Sequence, residues 1–399
     1  MSQEGSTGSR STLIAAGLCL LAFAAMGLTW TQMAGDQTSP AATQRTVATT
    51  TQAAVAAASV AQPDDASSEY TPHEWTDEEI AALRVHGLAE PKPRTPATIR
   101  VATYNVENLF DDQDDPTLSG RSEDIDDEKP LAELEALAET IRRVDADILA
   151  LQEIESERAL RWFMEAHLQG MGYDHIASPD AGDGRGIEQA VISRFPITGT
   201  KQWVKEPLGG VHPAKYGNRE NWYAGEPITM HRSPLMVDLS VPATAWGGQT
   251  TDASYELTVI VVHHKSGRHS GYWREKEATG LLERIADLPA DQNVLIMGDF
   301  NARSSEATIA TYLSAGFTDL FGDADNADPQ VQTHAGIGRI DYVLFNEAAA
   351  AEVLPASRFV LGTNAYADWQ DWRYDPAPPG YASDHYPVVV DLNPAAEQR

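Results

Sequence analysis

Asp147-Ile148-Leu149-Ala150-Leu151-Gln152 is a short strand that is apolar on both faces until it reaches Gln152, with Glu153 directly after. A strand of this kind is covered on both sides by other layers. Upstream, Leu131, Leu134, Leu137, Ala138 and Ile141 recur at helical spacing, and Ile99 to Asn105 reads as the strand before that helix. Downstream, Leu160, Phe163, Met164 and Leu168 mark a helix ended near Gly170 and Gly172. Strands follow at Gln189 to Ser193, Ser233 to Leu239 and Leu257 to His263, then a helix from about Trp273 to Leu288. Further strands lie at Val294 to Met297, Ile340 to Phe345 and Pro387 to Leu392. Helices separate some strands but not all, which argues against a doubly wound parallel sheet. Two packed sheets with helices outside suit the pattern, with no internal repeat.

Ahead of this domain, placed at residues 97–394, the sequence is of another kind. Residues 1–11 are a short polar stub read as cytoplasmic, and Thr12 to Trp30 is almost wholly apolar, with Arg10 before it. That is about the length of a membrane-crossing helix, with Trp30 suited to the far interface. A secretory signal usually has a shorter apolar core, and Gln32-Met33-Ala34 makes a poor small-x-small cleavage site. The expectation is an inner-membrane anchor, or a cleaved signal and secretion as the alternative; both put the domain outside the cytoplasm. Residues 31–96 read as a linker rich in Ala, Thr, Ser and Pro. Within it, Thr76 and Glu79 fit a capping box for a short helix whose Ile80, Leu83 and Leu88 pack on the domain, ended by Pro91, Pro93 and Pro96.

The chain has 399 residues, 42% of them hydrophobic, and nine Trp, enough for one large core. Its single cysteine, Cys19, excludes an intramolecular disulfide and a Cys-based zinc site, and reads as a small residue of the apolar run. A formal net charge of −30 argues against a protein that coats nucleic acid. It does not exclude a nuclease, because screening confines each charge to roughly 8 Å at physiological salt.

Polar residues suited to chemistry gather at strand ends in six segments: Thr103-Tyr104-Asn105-Val106-Glu107-Asn108, Leu151-Gln152-Glu153, His263-His264-Lys265-Ser266, Gly298-Asp299-Phe300-Asn301, Arg339-Ile340-Asp341-Tyr342 and Ser383-Asp384-His385. All six are expected at, or just past, the C-terminal end of a strand. Each alone could be a polar turn or a surface pair. Together they supply carboxylates for a hard cation, a base for water, and donors for an oxyanion, as hydrolysis of a phosphoric ester requires.

With these segments in this order, residues 97 to about 393 resemble the endonuclease/exonuclease/phosphatase superfamily, the DNase I-like fold. Gly298-Asp299-Phe300-Asn301 and Ser383-Asp384-His385 are the most specific marks. Arg185-Gly186-Ile187-Glu188 leading into Ser193-Arg194-Phe195-Pro196 looks like the family's exported bacterial members. The resemblance implies an α/β, four-layer sandwich of two packed mixed β-sheets flanked by helices. It implies a Mg²⁺ or Mn²⁺ ion held by Glu153 and Asp384, with Asn105 orienting Glu153 or touching metal and phosphate. Asp299 would orient or deprotonate the attacking water, and Asn301, on the same face, would hold the water or the phosphate. His385 would donate to a phosphate oxygen with its tautomer fixed and its pKa raised by Asp341.

His263 and His264 compete for the histidine on the leaving-group side. Strand alternation leaves the choice open, since Val259 and Val261 on one face and Ile260 and Val262 on the other are all apolar. The family pattern of a histidine two residues before Lys selects His263, with Glu188 as a loose partner. Lys265, Arg268 and Arg274, with Arg232, are candidate phosphate contacts. The acidic stretch Asp111, Asp112, Asp114, Asp115, Asp124, Asp126, Asp127 and Glu128 reads as a solvated loop, with a structural Ca²⁺ ion as the alternative. The expected activity is a nuclease outside the cytoplasm, on DNA rather than RNA. The rivals are a sphingomyelinase-like lipid phosphodiesterase or phosphatase, favoured less because Trp203 to Met230 is polar, and a catalytically dead binding module.

Overall fold

The structure, a computed structural model, describes residues 73–113 and 128–396. The apolar segment, the polar stub, the first part of the linker and acidic residues Asp114, Asp115, Asp124, Asp126 and Asp127 lie outside the described residues. Helix α1 (Asp77–Ala82) opens with the expected capping box: Thr76 accepts from the Glu79 N–H, and Glu79 reaches back to the Thr76 N–H. It ends at Leu83, well before the prolines. Leu83 is buried, and Leu88 packs beneath the first sheet, its N–H donating to Val360 O at 2.8 Å.

The elements that follow are β1 (Ile99–Leu109), α2 (Leu131–Val144), β2 (Ile148–Ile154), α3 (Glu157–His167), β3 (His175–Ala177) and β4 (Glu188–Ser193). After them come β5 (Ile197–Gln202), β6 (Pro207–Val211), β7 (Lys215–Tyr216), β8 (Arg219–Glu220), β9 (Pro227–Thr229), β10 (Leu235–Val241) and β11 (Tyr255–His263). The chain closes with α4 (Gly271–Ile285), β12 (Asn293–Asp299), α5 (Ala307–Ser314), β13 (Thr318–Asp319), β14 (Asp341–Phe345), β15 (Phe359–Val360) and β16 (Val388–Leu392). Among the described residues no helix is long and apolar enough to cross a membrane.

Two six-stranded sheets form, in the orders β15-β16-β1-β2-β4-β3 and β13-β14-β12-β11-β10-β5. Each is mixed: β1 and β2 run parallel, as do β11 and β12, and the remaining neighbours run antiparallel. The pleat sends alternate residues to opposite faces. Ile99, Val101, Ile148, Ala150, Val259, Val261, Leu295 and Met297 fill the space between the sheets. Ala102, Tyr104, Leu149 and Leu151 meet Leu134, Leu137, Ile141, Leu160 and Phe163 of α2 and α3. Ile260, Val262, Ile296 and Leu344 meet Leu281, Ile309 and Tyr312 of α4 and α5. The result is the expected four-layer α/β sandwich.

A buried ion pair joins the neighbouring strands β1 and β16 of the first sheet. Arg100 Nε donates to Asp391 Oδ1 at 2.7 Å, with both side chains almost fully buried. The Trp203–Met230 segment, read as polar, forms two small antiparallel ribbons, β6–β9 and β7–β8, with Trp222 92% exposed.

Candidate active site

The inter-sheet face continues past its apolar residues into polar ones at one edge, and this builds the site. In the second sheet His263, Asp299 and Asp341 are lateral neighbours: His263 pairs with Asp299 and Asp299 with Asp341. All three have the parity of the inter-sheet apolar residues, following Val261 and Met297 and preceding Val343. In the first sheet Asn105 continues the row of Ile99 and Val101. Glu153 should by parity point toward α2 and α3 with Leu151. The register shifts around it, and its φ of +65° marks a bulge that re-aims the side chain. Gly298 is required beside the centre: its φ is +137° and a Cβ there would lie 2.0 Å from Val262 O.

The expectation that all six segments lie at C-terminal strand ends is corrected. Asp341 is the first residue of β14, and Asp384-His385 precede β16. These strands run antiparallel to β12 and β1, so their N-terminal ends reach the same edge. Asn301 lies beyond β12, and a turn rather than the pleat brings it back, with its N–H donating to Asp299 Oδ1 at 2.7 Å.

Asp299 sits at the centre. Its Oδ2 accepts from Asn301 Nδ2 at 2.8 Å and Asn105 Nδ2 at 3.3 Å, and lies 3.5 Å from His263 Nε2 and 3.9 Å from His385 Nε2. Burial, opposed by His385 and reinforced by Asp341, pushes its carboxyl up to about 7. That suits a group exchanging a proton with water near neutral pH. His385 Nδ1 meets Asp341 at 2.9 and 3.1 Å. Burial works against charge on that ring, but Asp341, Asp384 and Asp299 outweigh it and hold its pKa well above the usual range.

His263 and His264 part company. His263 Nε2 lies 3.6 Å from Glu153 Oε1 as well as close to Asp299. His264 points the other way, to Tyr312 OH at 2.9 Å and Glu277 Oε2 at 3.5 Å, and packs edge-on against Phe300. Glu188 does not pair with His263: it accepts from Ser178 Oγ at 3.0 Å on the other face of its strand, and burial raises its carboxyl to about 8. Arg232 fills that place instead. Its Nη1 is 3.0 Å from His263 Nε2, and its Nε donates to Asp183 at 2.5 Å. A guanidinium only donates, so His263 Nε2 accepts and the ring proton sits on Nδ1. Burial and then the charge of Arg232 hold the His263 pKa well below its usual range.

Glu153 is half-buried, with Asn105 Nδ2 at 3.4 Å and Arg185 at 3.7 Å. Asn105 Oδ1 accepts the Glu107 N–H at 3.1 Å, so both ends of this amide are engaged in holding neighbours and its place is that of an orienting group. Asp384 is pulled down to about 2, burial opposing and His385 and His334 prevailing. Glu107, to which the sequence assigned no role, accepts from Tyr381 OH at 2.5 Å and the Asp384 N–H at 3.1 Å. Burial and then the charge of Asp384, with Glu153 adding, push its carboxyl up to about 7. Glu107, Asp384 and Glu153 thus bring carboxylate oxygens together at this end of the first sheet. Carboxylate oxygens suit a hard divalent cation, and Glu153 and Asp384 are the residues that would hold one.

Two further groups escaped the sequence. His334 approaches Asp384 Oδ2 at 3.4 Å, and Asp183 supports Arg232 from 49 residues away. Neither lies in a periodic pattern or within a motif.

Of the expected phosphate contacts, Lys265 is half-buried beside Trp273 and Arg268 is exposed. Arg274 is corrected. It lies on the packing stripe of α4 with Glu277, Ala278, Leu281 and Ile285, and donates to Lys265 O and Gly267 O at 3.0 Å and to Glu306 at 2.7 Å. Its guanidinium shapes the loop after His263 and leaves the set of phosphate contacts. Asp111 is corrected too: it is buried and paired with Arg158 at 3.1 Å, not solvated.

Among solved structures the chain is similar to the catalytic domain of human Nocturnin with bound sulfate, at 15% identity and a TM-score of 0.47, covering 75% of this chain and 95% of that one. It is similar to an endonuclease/exonuclease/phosphatase family protein of Bacteroides thetaiotaomicron, at 18% identity and 0.44, covering 75% and 98%. A third is TDP2 of D. rerio complexed with single strand DNA product, at 15% and 0.45, covering 74% and 99%. Comparison with curated protein sequences gives no match. The model of the Endonuclease/Exonuclease/phosphatase family matches residues 102–385, which carry every site residue from Asn105 to His385, and the chain belongs to that family.

Proposed function

We propose that the chain is a divalent-metal-dependent phosphodiesterase that cleaves nucleic acid, DNA in preference to RNA, outside the cytoplasm. Membership of the family makes it a hydrolase of phosphoric esters. The observation that carries the finer reading is the meeting of Asn105, His263, Asn301 and His385 around the one carboxylate of Asp299.

In this reading Asp299, aligned by Asn105 and Asn301, takes a proton from the attacking water. The Nε2 side of His385, its other nitrogen held by Asp341, steadies a phosphate oxygen as charge develops. A Mg²⁺ or Mn²⁺ ion held by Glu153 and Asp384 would draw charge from the phosphate. Arg232 and His263 take the leaving-group side. An anionic phosphate beside Arg232 competes for its donors, frees His263 Nε2 and favours its protonation, since a nearby negative charge stabilises an imidazolium. His263, protonated on Nε2 from solvent, gives that proton to the leaving oxygen as the P–O bond breaks, and Asp299 later releases the water's proton to solvent.

DNA rather than lipid is supported by Lys265 and exposed Arg268 on the loop after His263. A second reading, a sphingomyelinase-like lipid phosphodiesterase, is favoured by Trp222 and Val211, 92% and 59% exposed on the β6–β9 segment. A panel of supercoiled DNA, single strands, RNA, sphingomyelin and phosphomonoesters, each with Mg²⁺, decides between them. Hydrolysis of sphingomyelin or a monoester with DNA and RNA left intact replaces the nuclease reading. Location outside the cytoplasm is supported by the apolar run from Thr12 to Trp30. A reporter fused after Arg399 should be active only outside; activity confined to the cytoplasm contradicts this.

A further inference from the structure

We propose that His334 is a positioning residue, an imidazole locked with its proton on Nε2 that holds the Asp384 carboxylate toward the cation. The inference rests on the reading of Asp384 as a cation ligand. The chain around His334 runs beside the Ser383-Asp384-His385 segment: Ala335 N donates to Asp384 O at 2.8 Å and Tyr386 N to Thr333 O at 2.7 Å. A tight turn then closes from His334 to Gly338, bridged between those two residues. Gly338 has a φ of +102°, and a Cβ there would lie 2.9 Å from Gln332 Oε1, so the turn needs glycine.

The turn aims two backbone N–H groups at the ring. Gly336 N and Ile337 N lie 2.8 and 3.2 Å from His334 Nδ1. A backbone N–H can only donate, so Nδ1 carries a lone pair and the proton of the neutral ring is on Nε2. That nitrogen is the one 3.4 Å from Asp384 Oδ2. The ring is fixed on its other side by edge-on packing against His385, 4.7 Å between centroids.

This assignment bears on a geometric ambiguity. His334, Asp384 and His385 offer ligand atoms within 4.8 Å of one another, as a two-histidine metal site would. Yet His334 Nδ1 is occupied by two donors and its Nε2 carries hydrogen, while His385 Nδ1 is engaged by Asp341. The His334 imidazole is turned to present its N–H to a carboxylate. One oxygen of Asp384 faces His334, and the other lies 3.8 Å from His385 Nε2, which leaves the remaining lone pairs with a set direction. Partners of this kind typically change metal affinity by about 10- to 100-fold.

The test is Mn²⁺ affinity of the full chain by titration calorimetry, with folding checked by circular dichroism. His334→Ala should weaken Mn²⁺ binding by about 10- to 100-fold. His334→Gln places an amide N–H near the position of Nε2 and should restore most of it. Nitrogen NMR of the wild-type imidazoles, which needs no variant to fold, should show His334 as the Nε2–H tautomer. Unchanged Mn²⁺ affinity in His334→Ala, or an Nδ1–H tautomer, overturns the proposal. Asp384→Ala separates the two claims. If it binds Mn²⁺ as well as wild type, the ligand reading beneath the proposal fails; if it loses affinity while His334→Ala does not, the proposal alone fails.

Discussion

Replacing each of two adjacent histidines by alanine should have opposite consequences. His263 sits at the reacting centre, its Nε2 3.5 Å from Asp299 and 3.6 Å from Glu153, and its Nδ1 is buried with no protein partner among the described residues. Removing it should cost about 10²- to 10⁴-fold in turnover, the usual contribution of general acid–base catalysis. His264 is a packing residue between Phe300, Tyr312 and Glu277. His264→Ala leaves a cavity and orphans the buried Tyr312 hydroxyl, while Glu277 keeps its bonds from the Lys265 and His231 N–H groups. An unsatisfied buried group costs about 1–3 kcal/mol and the cavity adds to it, for a sum of roughly 2–4 kcal/mol. Unfolding entropy near 2.1 cal/mol/K per residue over roughly 320 residues converts this to a Tm lower by about 3–6 °C. Thermal unfolding by circular dichroism, with hydrolysis of a small diester measured below both transitions, checks the pair. A stable but inactive His264→Ala beside an active but unstable His263→Ala would refute the assignment.

The buried pair of Arg100 and Asp391 yields a pH-dependent stability. Against burial, the bonds from Arg100 and the Thr95 N–H hold the Asp391 carboxyl below its usual range. Its contribution is therefore present above the unfolded carboxylate pKa and lost as pH falls through the lower folded value. Asp391→Asn should cost about 3–5 kcal/mol at pH 7 and less in acid, as urea unfolding at several pH values would reveal. Glu188 has the opposite sign. Its pKa near 8 means the neutral form is favoured in the fold, a contribution lost as pH rises from the unfolded value through about 8. Glu188→Gln, which keeps an acceptor for Ser178, should be neutral at pH 4 and stabilising by on the order of 2–3 kcal/mol at pH 7; no gain there contradicts the shift. Arg268→Glu should raise KM for DNA, leave a small diester unaffected, and lower the salt slope of DNA binding by about one; equal effects on both substrates would move Arg268 into the catalytic centre.

Much of this was legible because apolar residues at the strand and helix periods report their own burial. The run Ile148 to Leu151, apolar on both faces, together with the α2 stripe predicts a layered α/β arrangement. The motif residues were equally visible, since polar groups at the end of an apolar strand are conspicuous. Which face each would take was not. Val259 to Val262 is apolar on both sides, so only the packed sheets distinguish His263 from His264. Glu153 breaks its own parity through a bulge. Arg274 looked like a surface cation, yet its spacing to Ala278, Leu281 and Ile285 put it on the packing stripe of α4. Helix α5 has only Thr308, Ile309 and Tyr312 buried, too short a stripe to declare a period. Glu107, His334 and Asp183 act through partners 49 or more residues away, and no local pattern records those contacts.

The most direct test of the central claim is hydrolysis of a phosphodiester, DNA first and a small chromogenic diester beside it, before and after removal of divalent cations. Glu153→Gln serves as the control, since it preserves shape while withdrawing charge from the cation site. The account predicts that chelator abolishes turnover, that Mg²⁺ or Mn²⁺ restores it, and that Glu153→Gln stays at least ~100-fold below wild type at saturating metal. Undiminished hydrolysis in chelator, or a fully active Glu153→Gln, would contradict it.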